Sequence, residues 1–592
     1  MFFFIDYNMD IVPPEYDSVV VSDFLFEDNK SIRGKKVQTL KAPFLGEDNF
    51  NRAYQTVIDI SDRLCEATAM WLNRKYGIDF TKKQVKYIYG SFFIKQTYII
   101  LERYARVKDL NMGDLYFRIP SNEVAAISTP KYTDEYYNAY IYGQILKRLG
   151  AHEIGSDSDT DISVDRVNEN MESLSGRIVT CVIDLFTQPK RVAYNLRRIN
   201  GLRHMFVSPP RKNVFCNSLL IRTFMPTEIE GDIVAKSGGR VYSLDPNILI
   251  RKDYENYKVR DIDYGLRDDV LKDFCPQNDF EIILKEIISN TLPLSLCENF
   301  YSTYCDVQKV ASRFTTNRIY SAARFDGAIA IFASIKSKEG AKIIDIQHSG
   351  CYISDVGVGY SEMNCFDEFI TWGDYGEYIF GKAKIVAPVR FTAKRKVDKN
   401  IGGDIGRILF ISNDPEKYDV GNGWYDPDFR LKHFSFIEAL PVEYRKRLVV
   451  RLRNDSYGFA TIYRNKYPEI LLEYEMDCPM LDSIRKSDLI VIDINSSAYY
   501  ESLIEGKPTL IFDGIKFPVY HEKMKKWIHR LSEKGLYRET GEEIAKIIVN
   551  NGDEIVNMWN EDDIQETLSG FLDYTMNSDV DIYRKWNDEW VS

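Results

Sequence analysis

The stretch Ser487–Asp513, SDLIVIDINSSAYYESLIEGKPTLIFD, decides the fold class. DLIVIDI and PTLIFD are short apolar runs of strand length, rich in β-branched residues. Between them SAYYESLIEG reads as a helix, and Gly506-Lys507-Pro508 ends it and opens the next strand. Strands that are apolar at nearly every position are covered on both faces, which is the environment of a parallel sheet. The stretch therefore predicts a strand–helix–strand unit of an α/β domain.

Working outward, the same alternation recurs. AKIIDIQH, RILFIS, KRLVVRL and EILLEY are further apolar runs, and helical stretches such as SYGFATIYRNKY and CPMLDSIRKS lie between most of them. A basic, glycine-containing and weakly periodic segment interrupts the pattern and divides it into two α/β domains. We place a first domain with helical insertions at 1–385, a linker at 386–406, and a second domain with a helical tail at 407–592. The acidic last ~50 residues are expected to cross back onto the first domain. Near the start, two long helical patterns run from Ala53 to Gly77 and from about Thr81 to Val107. Gly77 is the expected stop of the first. The second is apolar over most of its circumference and is expected to be buried, a membrane-surface helix being the alternative. Shorter β-like runs, RHMFVSP, NSLLIRTF and GRVYSL, follow between residues 203 and 244.

Composition removes several function classes. With 77 Lys plus Arg against 88 Asp plus Glu, the formal net charge is −11, a poor basis for displacing counterions from nucleic acid. No apolar run approaches the ~20 residues that span a bilayer. The opening MFFFIDYNMD lacks the basic and long apolar regions of a signal peptide. Nine dispersed Cys show no metal or disulfide spacing, so a cytoplasmic protein without metal or other cofactor is expected. Asp157, Asp159 and Asp161 have the look of a calcium loop, but Ile162 and Asn168 stand where Gly and Glu are needed. A solvated connection is the simpler reading.

In open parallel sheets ligands bind beyond the carboxyl ends of the strands, and three such ends stand out. Gln347-His348-Ser349-Gly350 follows AKIIDI, and only six His occur in the chain. His348 there can move a proton near neutral pH, or be a histidine satisfied by neighbouring backbone. Arg451 and Arg453 alternate along one strand and suit phosphate oxygens, or surface ion pairs. Asn495-Ser496-Ser497 opens a helix whose N–H groups suit a phosphate, with Glu501 one turn on, or is ordinary capping.

In order, these sites resemble glycosyltransferases of the GT-B architecture, two Rossmann-type domains facing across a cleft, here with an α-helical N-terminal elaboration. Teichoic-acid polymerases and capsule Kdo transferases share the strand-end His and the later Ser-Ser, Glu, Lys-Pro helix. More closely, VASRFTTN (Val310–Asn317), QHSG, TWGDYG (Thr371–Gly376), RILFIS (Arg407–Ser412), RLRNDSYG (Arg451–Gly458) and the donor-type helix resemble a family of transferases from surface-polysaccharide clusters. The N-terminal helical pair ending in YIILERYARV also fits it. The family's second Gly after Gln-His is Ser349 here, and its Thr-Thr is Ser496-Ser497; both keep small size or a hydroxyl.

The resemblance implies transfer of a sugar from a nucleotide donor, a CMP-activated Kdo-like or nonulosonic acid being favoured, to a glycan, glycolipid or protein. It assigns the acceptor to residues 1–385 and the donor to 407–592. Gln347, Ser349, Gly350, Arg451, Arg453, Asn495, Ser496, Ser497 and Glu501 would hold the donor. His348 would act in catalysis, with Glu298 and Asp367 as further carboxylates. Peripheral membrane association is left open. The alternatives are a CDP-polyol phosphotransferase of teichoic-acid type and a non-catalytic nucleotide-sugar-binding scaffold.

Overall fold

The computed structural model describes the chain from Met1 to Ser592 except for residues 6–11, 22–31, 45–46, 120–134, 155–209, 211, 251–261, 323–324, 326, 354–364, 375–382, 390–403, 413–428, 453–458, 475–476, 494, 514–521 and 578–580. The aspartate-rich loop and RHMFVSP therefore lie outside the described residues, as does most of the linker.

Three parallel sheets organise the rest. Sheet C holds β12 (Ile408–Ile411), β13 (Leu448–Leu452), β14 (Leu471–Tyr474), β15 (Leu489–Ile492), β16 (Thr509–Phe512) and β17 (Tyr537–Arg538). Their order is β14-β13-β12-β15-β16-β17, and every described pairing is parallel. β12, β15 and β16 are buried at all positions, as continuous apolar runs require when helices cover both faces. These strands all fall within residues 407–592.

Sheet B holds β6 (Val214–Leu220), β7 (Val241–Ser243), β8 (Phe314–Ser321), β9 (Lys342–Ile346), β10 (Glu368–Thr371) and β11 (Ala383–Ile385), in the order β11-β10-β9-β8-β6-β7. NSLLIRTF and GRVYSL supply β6 and β7. The pairings here are parallel too.

The N-terminal elaboration is more than helical. β1 (Phe2–Ile5), β2 (Ser18–Val21), β3 (Lys36–Thr39), β4 (Leu115–Phe117) and β5 (His152–Glu153) form a third parallel sheet, sheet A, in the order β3-β2-β1-β4-β5. Between sheets A and B lies the helical pair. The first helix runs Glu47–Tyr76 and stops at Gly77, whose φ of +67° only glycine adopts without strain. The second starts at Thr81, which forms a capping box with Gln84, passes through a π turn at Lys86–Gly90, and continues as Ser91–Val107. Its Phe93, Ile99 and Ile100 are buried in one core with Phe4 and Val20 of sheet A and with Ile319 and Ile343 of sheet B. It is a core helix and has no face left for a membrane. Among the described residues no helix is long and apolar enough to cross one.

The tail does cross back. Its last helix, Ile582–Val591, buries Trp586 and Trp590 against Leu220, Tyr320, Ile344 and Ile346 on the other face of sheet B. Glu589 accepts the Tyr320 hydroxyl at 2.9 Å and pairs with Lys384.

Candidate functional site

β9 delivers Gln347 and His348 to the carboxyl edge of sheet B. Gln347 is fully buried and shapes the loop. Its Nε2 donates to the Ser349 carbonyl at 2.8 Å, and its Oε1 accepts the Trp372 N–H at 3.0 Å. Trp372 Nε1 donates to the Gln347 carbonyl at 2.7 Å. A side chain bonded this way holds the loop. His348 is half-buried, with Nδ1 2.9 Å from the buried Tyr352 hydroxyl and its ring 6.1 Å from that of Phe224. When Tyr352 donates to Nδ1, the neutral ring carries its proton on Nε2.

β15 delivers Asn495–Ser497 to the carboxyl edge of sheet C, where the helix Ser497–Ile504 begins. Ser496 is extended at the N-cap (φ −135°, ψ 174°), and its side chain does not cap the helix. The hydroxyl of the first helical residue is directed across the cleft: Ser497 Oγ accepts the Gly350 N–H at 3.1 Å and lies 3.2 Å from Ser349 Oγ. The QHSG loop and the Ser-Ser helix thus touch, joining two strand-end motifs about 150 residues apart in sequence. A Cβ at residue 350 would sit 2.4 Å from the Tyr500 ring, so only glycine permits the approach. Asn495 is buried; its Nδ2 lies 3.5 Å from the Tyr500 hydroxyl, and its Oδ1 has no hydrogen-bond partner among the described residues. Glu501 is half-buried one turn along the same helix.

Three expected residues belong elsewhere. Asp367 accepts the Ile343 N–H at 2.9 Å and the Tyr87 hydroxyl at 3.0 Å, and pairs with Lys83 at 2.7 Å. Ile343 is the second residue of β9 whereas His348 lies beyond its end, so roughly 16 Å of extended chain separates them. Asp367 pins the second long helix to the amino edge and does not line the cleft. The side chain of Glu298 is buried and takes both arms of Arg267, at 2.6 and 3.0 Å, and the Asp263 N–H at 3.1 Å. That clamp occupies its oxygens, so it is a structural carboxylate. Arg451 is buried too: it pairs with Glu473 at 2.5 Å and donates to the Cys478 carbonyl at 2.9 Å, fastening β13 to β14 rather than reaching for phosphate. Arg453 lies outside the described residues.

Strand-end reasoning missed a further cluster. The chain leaves β12 for β13 and β14 on one side, and later fills β15 and β16 on the other, so the strand order reverses between β12 and β15. Ser412 and Asp493 follow those two strands, and His433, on the helix Phe429–Ala439, joins them. Its Nε2 is 2.7 Å from Asp493, and its Nδ1 is 3.2 Å from the Tyr463 hydroxyl and 3.5 Å from Ser412. All four are buried. The scarcity of His was the available signal, but His433 sits inside a helix, away from any strand end. Among the described residues no group of three or more His, Cys, Asp or Glu is placed to hold a metal.

The sequence profile of the LIC12162 family transferases matches residues 1–590. The chain belongs to that family. No curated protein matches the transferase. Among solved structures it is similar to a putative UDP-N-acetylglucosamine 2-epimerase from Listeria monocytogenes, at 14% identity and a TM-score of 0.34, over 62% of this chain and 93% of that one. It is also similar to Os79 from O. sativa in complex with UDP and deoxynivalenol-3-glucoside, at 11% identity and 0.35, over 63% of this chain and all of that one. The spinosyn forosaminyltransferase SpnP matches at 9% and 0.33, over 64% of this chain and all of that one. Likenesses this distant leave the chemistry of the transferase to its own residues.

Proposed function

We propose that the chain is a GT-B-type glycosyltransferase whose nucleotide-sugar donor sits where the QHSG loop meets the helix Ser497–Ile504. The carrying observation is that contact itself: the carboxyl edges of two parallel sheets converge on an uncapped helix start and a histidine. Unsatisfied N–H groups at a helix start favour an anion. Donor phosphate there would accept from them, and the same dipole would offset charge building on the departing phosphate oxygen. Asn495 would supply a buried polar contact, and Glu501 would bind ribose hydroxyls.

The bond from the sugar's anomeric carbon to the phosphate oxygen breaks, and one from that carbon to an acceptor oxygen forms. The acceptor's proton must leave, and His348 would take it on Nε2 in the tautomer whose Nδ1–H donates to the Tyr352 oxygen. A CMP-linked sugar is the finer form of the proposal, resting on the motif resemblance. A surface glycan, glycolipid or protein is the acceptor class, and the cytoplasm the expected location.

Ser496→Asp tests the donor site. Asp is a good N-cap, so the free protein should melt at or above the wild-type temperature. Its carboxylate would repel a phosphate at the same point. CMP, CDP, UDP, GDP and TDP are compared by thermal shift, a ligand at a hundred times its Kd contributing about 2.7 kcal/mol. Expected is a shift with at least one nucleotide, lost in Ser496→Asp and kept in His348→Ala. A shift with no nucleotide, or an undiminished one in Ser496→Asp, overturns the proposal. Preference for CDP would favour the polyol-phosphate alternative.

A further inference from the structure

We infer that Phe224 is a stacking platform for a sugar ring of the acceptor. This rests on the reading of the cleft as a glycosyl-transfer site and adds the class of group received on its sheet B side.

The strand order of sheet B reverses between β6 and β8, because the chain runs from β6 out to β7 and returns on the other side. Loops leaving such neighbours diverge and open a crevice beyond the carboxyl edge. The segment after β6, Ile221–Met225, forms its rim. It is tied to β8 by Ile221 N–H to the Tyr320 carbonyl at 2.8 Å and by Ala322 N–H to the Arg222 carbonyl at 3.0 Å.

Within this rim Arg222 (φ +53°) and Phe224 (φ +57°) are left-handed, a region that bulky side chains avoid. The third described residue of this kind apart from glycine, Asn577, merely ends a helix, where the conformation is ordinary. No such ending explains residues 222 and 224. A network enforces the turn instead. The buried Thr223 hydroxyl accepts the Met225 N–H at 3.2 Å and donates to Glu230, whose other oxygen takes the Ser243 hydroxyl at 2.5 Å. Thr223 is thereby turned in and Phe224 out. Phe224 is 51% exposed, beside His348.

Strain held in place by surrounding bonds, with an apolar ring displayed as the result, is the pattern expected of a binding residue. The ring suits a pyranose, whose C–H face is apolar and slightly positive against the negative aromatic face, while its hydroxyls stay in water. A sugar lying there would carry its hydroxyls toward His348. An acyl chain would need a broader apolar surface. Phe215, an exposed aromatic of β6, lies at the amino end of that strand and so cannot extend the surface of Phe224.

The test uses the full chain and saturation-transfer NMR with methyl pyranosides of glucose, galactose, mannose and N-acetylglucosamine, with 1-octanol as the acyl probe. Expected is transfer to at least one pyranoside, kept in Phe224→Trp and reduced at least fivefold in Phe224→Leu and Phe224→Gly. Phe224→Gly should also melt no lower than wild type, because glycine relieves the left-handed turn. Absence of transfer to every pyranoside, its survival in Phe224→Leu, preference for octanol, or a Phe224→Gly variant melting below Phe224→Leu would each overturn the inference. Nucleotide-induced thermal shifts should be unchanged in all variants. Their absence from the wild type would instead defeat the donor-site proposal.

Discussion

Gly350 shows how much a single missing atom controls. Its backbone N–H reaches Ser497 because nothing stands between the loop and the Tyr500 ring. Gly350→Ala would place a methyl 2.4 Å from that ring and 3.1 Å from the Ser496 backbone, and neither can retreat within a packed core. Overpacking of this kind costs about 1–3 kcal/mol. The expected result is a lower melting temperature together with a loss of nucleotide-induced shift, read in the same thermal melts. At this scale the sequence was partly legible. A histidine after an apolar run and hydroxyl residues before a helix announce themselves through their neighbours. Arg451 did not, because alternation along a strand says which face a residue takes but not which partner waits there. Glu473, on the adjoining strand, was that partner. Asp367 misled for a related reason: nearness to His348 in sequence concealed its place at the opposite end of the strand.

At the scale of elements, the β13–β14 pair rests on ionic contacts as well as on its ladder. Burial raises the pKa of Glu473, but hydrogen bonds from Ser483 and Arg451 and the charges of Arg451 and Arg407 outweigh it and hold the carboxyl below its usual range. A depressed carboxyl contributes stability above its unfolded value, near 4.5, and loses it as pH falls through the folded value. Glu473→Gln should therefore destabilise the protein at pH 7, with the difference from wild type shrinking between about pH 5 and 3. Denaturant melts across that range measure it; a constant difference would contradict the assignment. The strands β12, β13, β15 and β16 of sheet C were readable because burial on both faces leaves apolar runs. Those of sheet A were not. β5 has two residues, β4 has three, and β3 is exposed throughout, so little in them distinguishes strand from loop. The π turn at Lys86–Gly90 was equally hidden, since a helical period continues through it with only a small phase shift.

For the whole molecule, the two central sheets do not stand alone. Asp374 donates its N–H to the Tyr574 carbonyl at 3.0 Å, Lys523 pairs with Asp374 at 3.2 Å, and Asn577 donates to the Val386 carbonyl at 2.9 Å. The C-terminal segment thus braces both sides of the cleft before its last helix lies on sheet B. Removing residues 582–592 would uncover Leu220, Ile344 and Ile346 together, and Trp590→Ala alone should cost about 3–5 kcal/mol. Limited proteolysis should then cut within the sheet B region sooner than within sheet C; equal rates would mean the tail is not its cover. The return of the tail was foreseeable from its helical pattern, but not its docking partner, which depends on contacts across hundreds of residues. That distance has a consequence in time. A ribosome releases β9 roughly 240 residues before Trp590, an interval of roughly 10–50 s at ordinary elongation rates. One apolar face of sheet B must wait that long for its lid, so the nascent chain is a natural client for chaperones throughout that interval.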